Sequence, residues 1–112
     1  KVKAARDNLV TARLADWAEI LEGDAMETLA EIFDVDMLYL DGWAGFYLSV
    51  LKVVEQNLRP GALVHADDVG KFARSAAPYL EYVRSPGSGY VSVTLGDYQG
   101  FELSSWIGRS AD

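Results

Sequence analysis

The sequence predicts an α/β domain: a three-layer α/β/α sandwich on a mostly parallel sheet, with one antiparallel strand near its edge. Two observations carry this. Amphipathic helical segments alternate with short apolar runs across small loops, the pattern that right-handed crossovers produce. The runs Val35–Leu40 and Ala62–Ala66 are apolar almost throughout, as strands covered on both faces are.

In order, Lys1–Ala15 places Val2, Ala5, Leu9 and Ala12 at helical spacing. Trp17–Glu22 reads as a short strand closed by the turn Gly23-Asp24-Ala25, and Met26–Ile32 as about two helical turns. The strand Val35–Leu40 ends in Asp41-Gly42. A helix over about Gly45–Leu58 follows, with Tyr47, Val50, Leu51, Val54 and Leu58 on one stripe, stopped by Arg59-Pro60-Gly61. The strand Ala62–Ala66 ends in Asp67-Asp68. Phe72–Arg84 is helical, with Ser75 as a cap and Pro78 in the first turn. Tyr90–Leu95 and Phe101–Trp106 alternate and read as an antiparallel pair joined by Gly96–Gly100.

Composition narrows the partners. The 112 residues carry 17 acidic and 10 basic side chains, a net charge of −7. Duplex nucleic acid and anionic membranes both call for a cationic face, so neither is expected as a partner. No apolar run reaches the length of a bilayer span. There is no cysteine, which removes disulfides, thiolate metal sites and thiol nucleophiles and fits a reducing compartment; a cytoplasmic location is expected.

In open α/β sheets ligands bind beyond the carboxyl ends of the strands, and three expected strands end in acid: at Asp24, at Asp41 and at Asp67-Asp68. Converging carboxylates repel unless they are protonated or bridged by a hard cation with oxygen ligands. The alternative for each aspartate is a helix N-cap after its strand, a frequent use. Spacing alone leaves both open. Gly87-Ser88-Gly89 has the composition of a phosphate-binding loop but lacks the preceding strand and the lysine.

Several segments together resemble a known family. Gly23-Asp24-Ala25 before a helix, Asp36–Trp43 (DMLYLDGW), Tyr47-Leu48, Leu58–Val69 (LRPGALVHADDV) and Gly89–Leu95 (GYVSVTL) look like the class I S-adenosylmethionine-dependent O-methyltransferases, in particular their catechol O-methyltransferase-like, metal-assisted branch. The resemblance implies a Rossmann-like fold with a seven-stranded sheet, of which this chain would supply the third to seventh strands. The first two strands, the glycine-rich loop for the methionine part of the cofactor and the acid for its ribose have no counterpart here. Residues 1–112 are therefore expected to be the carboxyl-terminal part of a single methyltransferase domain, with the Trp17–Glu22 strand deprived of its usual neighbour.

Carried over by position, the resemblance implies S-adenosylmethionine binding by Asp24, Ala25, Met26, Asp41 and Trp43. Asp24 would accept from the adenine amine and Met26 would pack on the ring. It implies a magnesium-like ion on Asp41, Asp67 and Asp68, and methyl transfer to a hydroxyl oxygen of a small molecule, with the ion as Lewis acid and template. A homodimer is the one macromolecular assembly it leaves open.

Two positions depart from the family. Asp68 stands where asparagine is usual and remains a hard oxygen ligand. Ala44 stands where a lysine commonly removes the substrate proton, so no catalytic base is assigned. His65 shares a strand face with Asp67 and reads more readily as a hydrogen-bonded core residue than as a base. Tyr47 reads as packing, Lys52 as solvent-facing, and Tyr79, Tyr82 and Tyr90 as core. The Ala44 departure motivates an alternative: a non-catalytic relative that keeps the fold for cofactor binding or dimer contacts. A different doubly wound enzyme such as a dehydrogenase would need a glycine fingerprint that this chain lacks.

Overall fold

The computed structural model describes residues 1–109. Helices α1 (Val2–Thr11), α2 (Ala25–Thr28), α3 (Tyr47–Glu55) and α4 (Ala73–Arg84) accompany strands β1 (Val35–Leu40), β2 (Leu58–Ala66), β3 (Tyr90–Leu95) and β4 (Phe101–Trp106). The strands form one mixed sheet in the order β1-β2-β4-β3. β1 and β2 are parallel, and β4 runs antiparallel to both β2 and β3. Three strands thus share a direction and the single antiparallel strand lies next to the edge, as the sequence predicts.

Topology decides where the helices lie. The β1-α3-β2 and β2-α4-β3 crossovers step in the same direction across the sheet, and right-handed crossovers that do so put their helices on the same face. Leu51 and Val54 of α3 and Ala76, Tyr79 and Val83 of α4 accordingly bury against Leu40, Val64 and Ala66. On the opposite face Met37, Tyr39, Leu63, Val91 and Val93 are 41–62% exposed. The described residues build two of the three expected layers, and the second face of the sheet is apolar yet uncovered by them.

Four local expectations change. Trp17–Glu22 forms no strand: Trp17 is almost fully exposed, and the Ile20 carbonyl accepts from the Arg6 guanidinium at 3.0 Å. A strand needs a ladder partner, and this segment finds none among the described residues. The first helix ends at Thr11, short of Ala15, because Arg13 turns left-handed (φ 61°). Its N–H donates to the Val10 carbonyl and that of Leu14 to the Leu9 carbonyl, a Schellman closure.

Leu58 opens β2 instead of closing the preceding helix, and it pairs with Val35. The register then jumps to Met37 opposite Leu63, so Pro60 and Gly61 (φ 87°) sit in a bulge where no ladder hydrogen bond is lost. Finally, Phe72, not Ser75, occupies the N-cap of α4, and Pro78 lies inside the helix. The turn over Asp68–Phe72 leads straight into it, Phe72 N–H donating to the Asp68 carbonyl and Ala76 N–H to that of Phe72.

The β3–β4 loop is held against the segment after β2. Gly70 and Lys71 N–H groups donate to the Gln99 carbonyl at 2.9 and 3.2 Å, and Val69 N–H to that of Gly100 at 3.1 Å. A Cβ on Gly70 would collide with the Tyr98 carbonyl oxygen. Gly70→Ala is expected to push the loop away and to cost about 1–3 kcal/mol, as overpacking does. Hydrogen exchange checks it: the amides of residues 69–71 should lose protection, and unchanged protection would show that the backbones give way freely.

Candidate cofactor and cation site

Parallel pairing of β1 and β2 brings their acidic tips together. The ladder ends at Leu40 opposite Ala66, and the Asp67 N–H donates to the Leu40 carbonyl at 2.9 Å. Asp41 and Asp67 therefore emerge side by side. Asp68 adopts φ 55°, a conformation aspartate tolerates better than most residues. Carboxylate oxygens of Asp41, Asp67 and Asp68 lie within 4.8 Å of one another.

The crowding has an electrostatic signature. Asp67, close enough to share a proton with Asp41, holds the Asp41 carboxyl above its ordinary range; desolvation and the charges of Asp67 and Asp68 add to this. Tyr47 anchors both strand tips from below. It is buried, and its hydroxyl donates to the main-chain carbonyls of Asp67 at 3.0 Å and Gly42 at 3.4 Å. Burial, then the neighbouring aspartates, push this phenol up to about 12, so it remains a donor at neutral pH. It is packing, as expected, and also a tie between two strand ends.

Beside the acids runs an apolar depression. One part, about 280 Å³, is lined by Asp41, Trp43, Tyr47 and Leu29 among others, and includes Ala25, Phe46 and Val50. Those last three also line a neighbouring hollow of about 460 Å³ with Asp24, Met26 and Ser49. The structure thus gathers Asp24, Ala25, Met26, Asp41 and Trp43 along one continuous cleft, and Asp41 lies where the cleft meets the acidic cluster. Asp24 is also an N-cap: its Oδ1 accepts from the Met26 N–H at 2.9 Å. Oδ2 has no hydrogen bond among the described residues, so capping and ligand recognition are compatible there.

Ala44 is buried in the core, and Lys52 faces solvent above the Tyr82 ring. His65 is neither hydrogen-bonded core nor an exposed base. Its ring is stacked between Tyr39 and Phe101, at centroid distances of 4.3 and 4.4 Å, and its buried Nε2 has no hydrogen-bond partner among the described residues. The signal for this clamp is register: Tyr39 pairs with His65 across β1–β2, and Phe101 lies on the same face of β4, two residues from Leu103, the partner of His65.

The four-strand mixed sheet, with acidic tips at the carboxyl ends of its parallel strands, has the fold of part of a class I S-adenosylmethionine-dependent methyltransferase domain. Comparison with solved structures bears this out. An O-methyltransferase from Bacillus cereus in complex with SAH aligns over 94% of this chain and 57% of its own, with TM-score 0.76 and 17% identity. The O-methyltransferase TomG from Streptomyces achromogenes, involved in tomaymycin synthesis and in complex with SAM, aligns over 95% and 57%, with TM-score 0.75 and 20% identity.

In sequence, 57 residues are 33% identical to a probable cobalt-precorrin-6B C(15)-methyltransferase (decarboxylating) of Methanothermobacter thermautotrophicus, covering 51% of this chain and 30% of that protein. No family model matches the chain. The chain spans somewhat more than half the length of the structures it resembles. Among the described residues no helix is long and apolar enough to cross a membrane.

Proposed function

We propose that this chain is the carboxyl-terminal part of an S-adenosylmethionine-dependent O-methyltransferase that acts on a small hydroxylated molecule with a divalent cation such as magnesium. The observation that carries the reading is the meeting, at the tips of β1 and β2, of three carboxylates within 4.8 Å and an apolar cleft ending at Asp24. The uncovered face of the sheet supports the partial-domain reading. Further helices on it require strands that step away from β1 in the opposite direction, and such a reversal marks the ligand crevice of doubly wound sheets.

The donor set fits a hard cation. Three carboxylates offer only oxygen, and the raised Asp41 carboxyl reports a repulsion that a bound cation relieves. Asp41, Asp67 and Asp68 would hold such a cation, which would supply Lewis acidity and a template for the acceptor hydroxyl.

The remaining work belongs to the chain. Asp24 Oδ2 accepts from the adenine amine, the Ala25 backbone reads the ring edge, and Met26 packs on its face. Trp43 walls the cleft between adenine and the acids, excluding water and aligning the methyl donor with the acceptor oxygen. Ala44 offers no base, so the hydroxyl, its pKa lowered by a bound cation, would release its proton to solvent.

Calorimetric titration of the full-length protein with S-adenosylhomocysteine tests the reading: saturable binding well below millimolar is expected, and no heat at millimolar ligand rejects it. Two rival readings have an observation each. The sequence relative is a C-methyltransferase by name, so transfer to carbon without any need for magnesium would replace the oxygen target. Ala44 favours a non-catalytic cofactor binder, which would show S-adenosylhomocysteine binding but no methylation of catechol-type acceptors.

A further inference from the structure

We propose that His65 is a positioning residue for the acidic site: its Nε2–H donates to Asp67 and fixes the orientation of that carboxylate toward the cation. The inference rests on the cation reading above. His65 and Asp67 are two residues apart and lie on the same side of the sheet. Nε2 is 3.9 Å from Asp67 Oδ1 and has no hydrogen-bond partner among the described residues. The near-parallel rings of Tyr39 and Phe101, inclined by 10° and 12°, hold the imidazole plane, and in the observed orientation Nε2 lies on the Asp67 side.

A buried N–H without an acceptor costs about 1–3 kcal/mol, and the Asp67 carboxylate lies 3.9 Å from this nitrogen. Closing this contact to about 2.9 Å makes it a hydrogen bond. One oxygen is then held by the protein and the other is left for the ion. Partners that orient a ligating carboxylate in this way commonly change metal affinity by about 10–100-fold. Tyr47 does the corresponding work on the main chain: it holds the Asp67 carbonyl, while His65 holds the side chain.

Manganese(II) binding to the full-length protein, followed by calorimetry or by the loss of its free-ion paramagnetic resonance signal, tests the assignment. His65→Phe keeps a ring between Tyr39 and Phe101 and removes the donor. His65→Gln gives up the ring and keeps an N–H at similar reach. The expected result is at least a tenfold weaker Kd in His65→Phe, with its thermal midpoint in chelator unchanged or raised, and a Kd within about threefold of the parent in His65→Gln.

Parental affinity in His65→Phe overturns the role of His65 and leaves the cation site standing. Equal weakening in both variants overturns it as well, because the ring and not the donor would then matter. A parent protein that binds no manganese overturns the cation reading itself.

Discussion

Asp41→Asn in the full-length protein is expected to lower cation-dependent methyl transfer by at least on the order of a hundredfold, the upper range for loss of even an outer partner of a metal, and at the same time to raise the thermal midpoint in chelator. The opposite signs follow from one arrangement. Asp41 shares its surroundings with Asp67 and Asp68, and its carboxyl is held above the ordinary range in the folded state. The native protein therefore binds a proton more tightly at Asp41 than the unfolded chain does, so stability falls as pH rises from the normal aspartate range, about 3.9, through the elevated native value.

An amide at position 41 removes that loss. Magnesium should remove it from the parent and do nothing for the variant. Thermal melts across pH in chelator and in magnesium check the stability arm, and initial rates check the catalytic one. A variant less stable than the parent in chelator would mean that the three acids do not repel one another.

Glu102→Ala is expected to be the most damaging single change to the fold, at about 3 kcal/mol or more. Glu102 is fully buried in β4 and fully engaged. Arg84 donates to its two oxygens at 3.0 and 2.9 Å, and the Ser92 and Thr94 hydroxyls donate at 2.7 and 2.6 Å. Burial pushes its carboxyl up, but the hydrogen bonds from Arg84, Ser92 and Thr94 outweigh burial and leave it below the usual range.

The pH dependence has the opposite sign to that of Asp41. Glu102's contribution is present above the ordinary glutamate value, about 4.3, and is lost as pH falls through its lower native value. Glu102→Gln keeps the shape and should lose less. Denaturant unfolding at pH 7 and pH 4 checks both: the gap between parent and Glu102→Ala should narrow in acid. A gap independent of pH would show that packing alone is at stake.

Glu102 also shows where reading the chain one residue at a time stops. Tyr90–Leu95 and Phe101–Trp106 alternate clearly, and the alternation locates both strands and their pairing. It says nothing of which face a helix will cover. An apolar parity, Val91, Val93 and Leu103, is visible in the alternation. Ser92, Thr94, Glu102 and Ser104 face the helices, with Thr94 opposite Glu102 and Ser92 opposite Ser104, and Arg84 of α4 closes the network. Val91 and Val93 lie on the uncovered face. On the proposed partial-domain reading, this apolar parity would meet a layer from the rest of the protein, in keeping with the crossover directions.

The site divides similarly. Aspartates at the ends of apolar strands can be seen in the chain because apolar runs and their closing residues are local features. Their convergence within 4.8 Å needs only that β1 and β2 be parallel neighbours, which the intervening helix dictates. The cleft joining Asp24 to Trp43 needs the turn before α2 to come to rest beside α3, and the imidazole clamp needs Tyr39, His65 and Phe101 to be in register on three strands.

By itself, then, the sequence determined the alternation of helix and strand, the parallel pairing of β1 with β2, and the acids at their tips, since each depends on residue patterns a few positions long. Tertiary structure alone decided that Trp17–Glu22 would not be a strand, which parity of β3 and β4 would meet the helices, and that His65 would stand against Asp67 with its nitrogen unpaired. Those outcomes depend on which distant segment offers a hydrogen-bonding edge or an apolar cover, and no short stretch of chain contains that information.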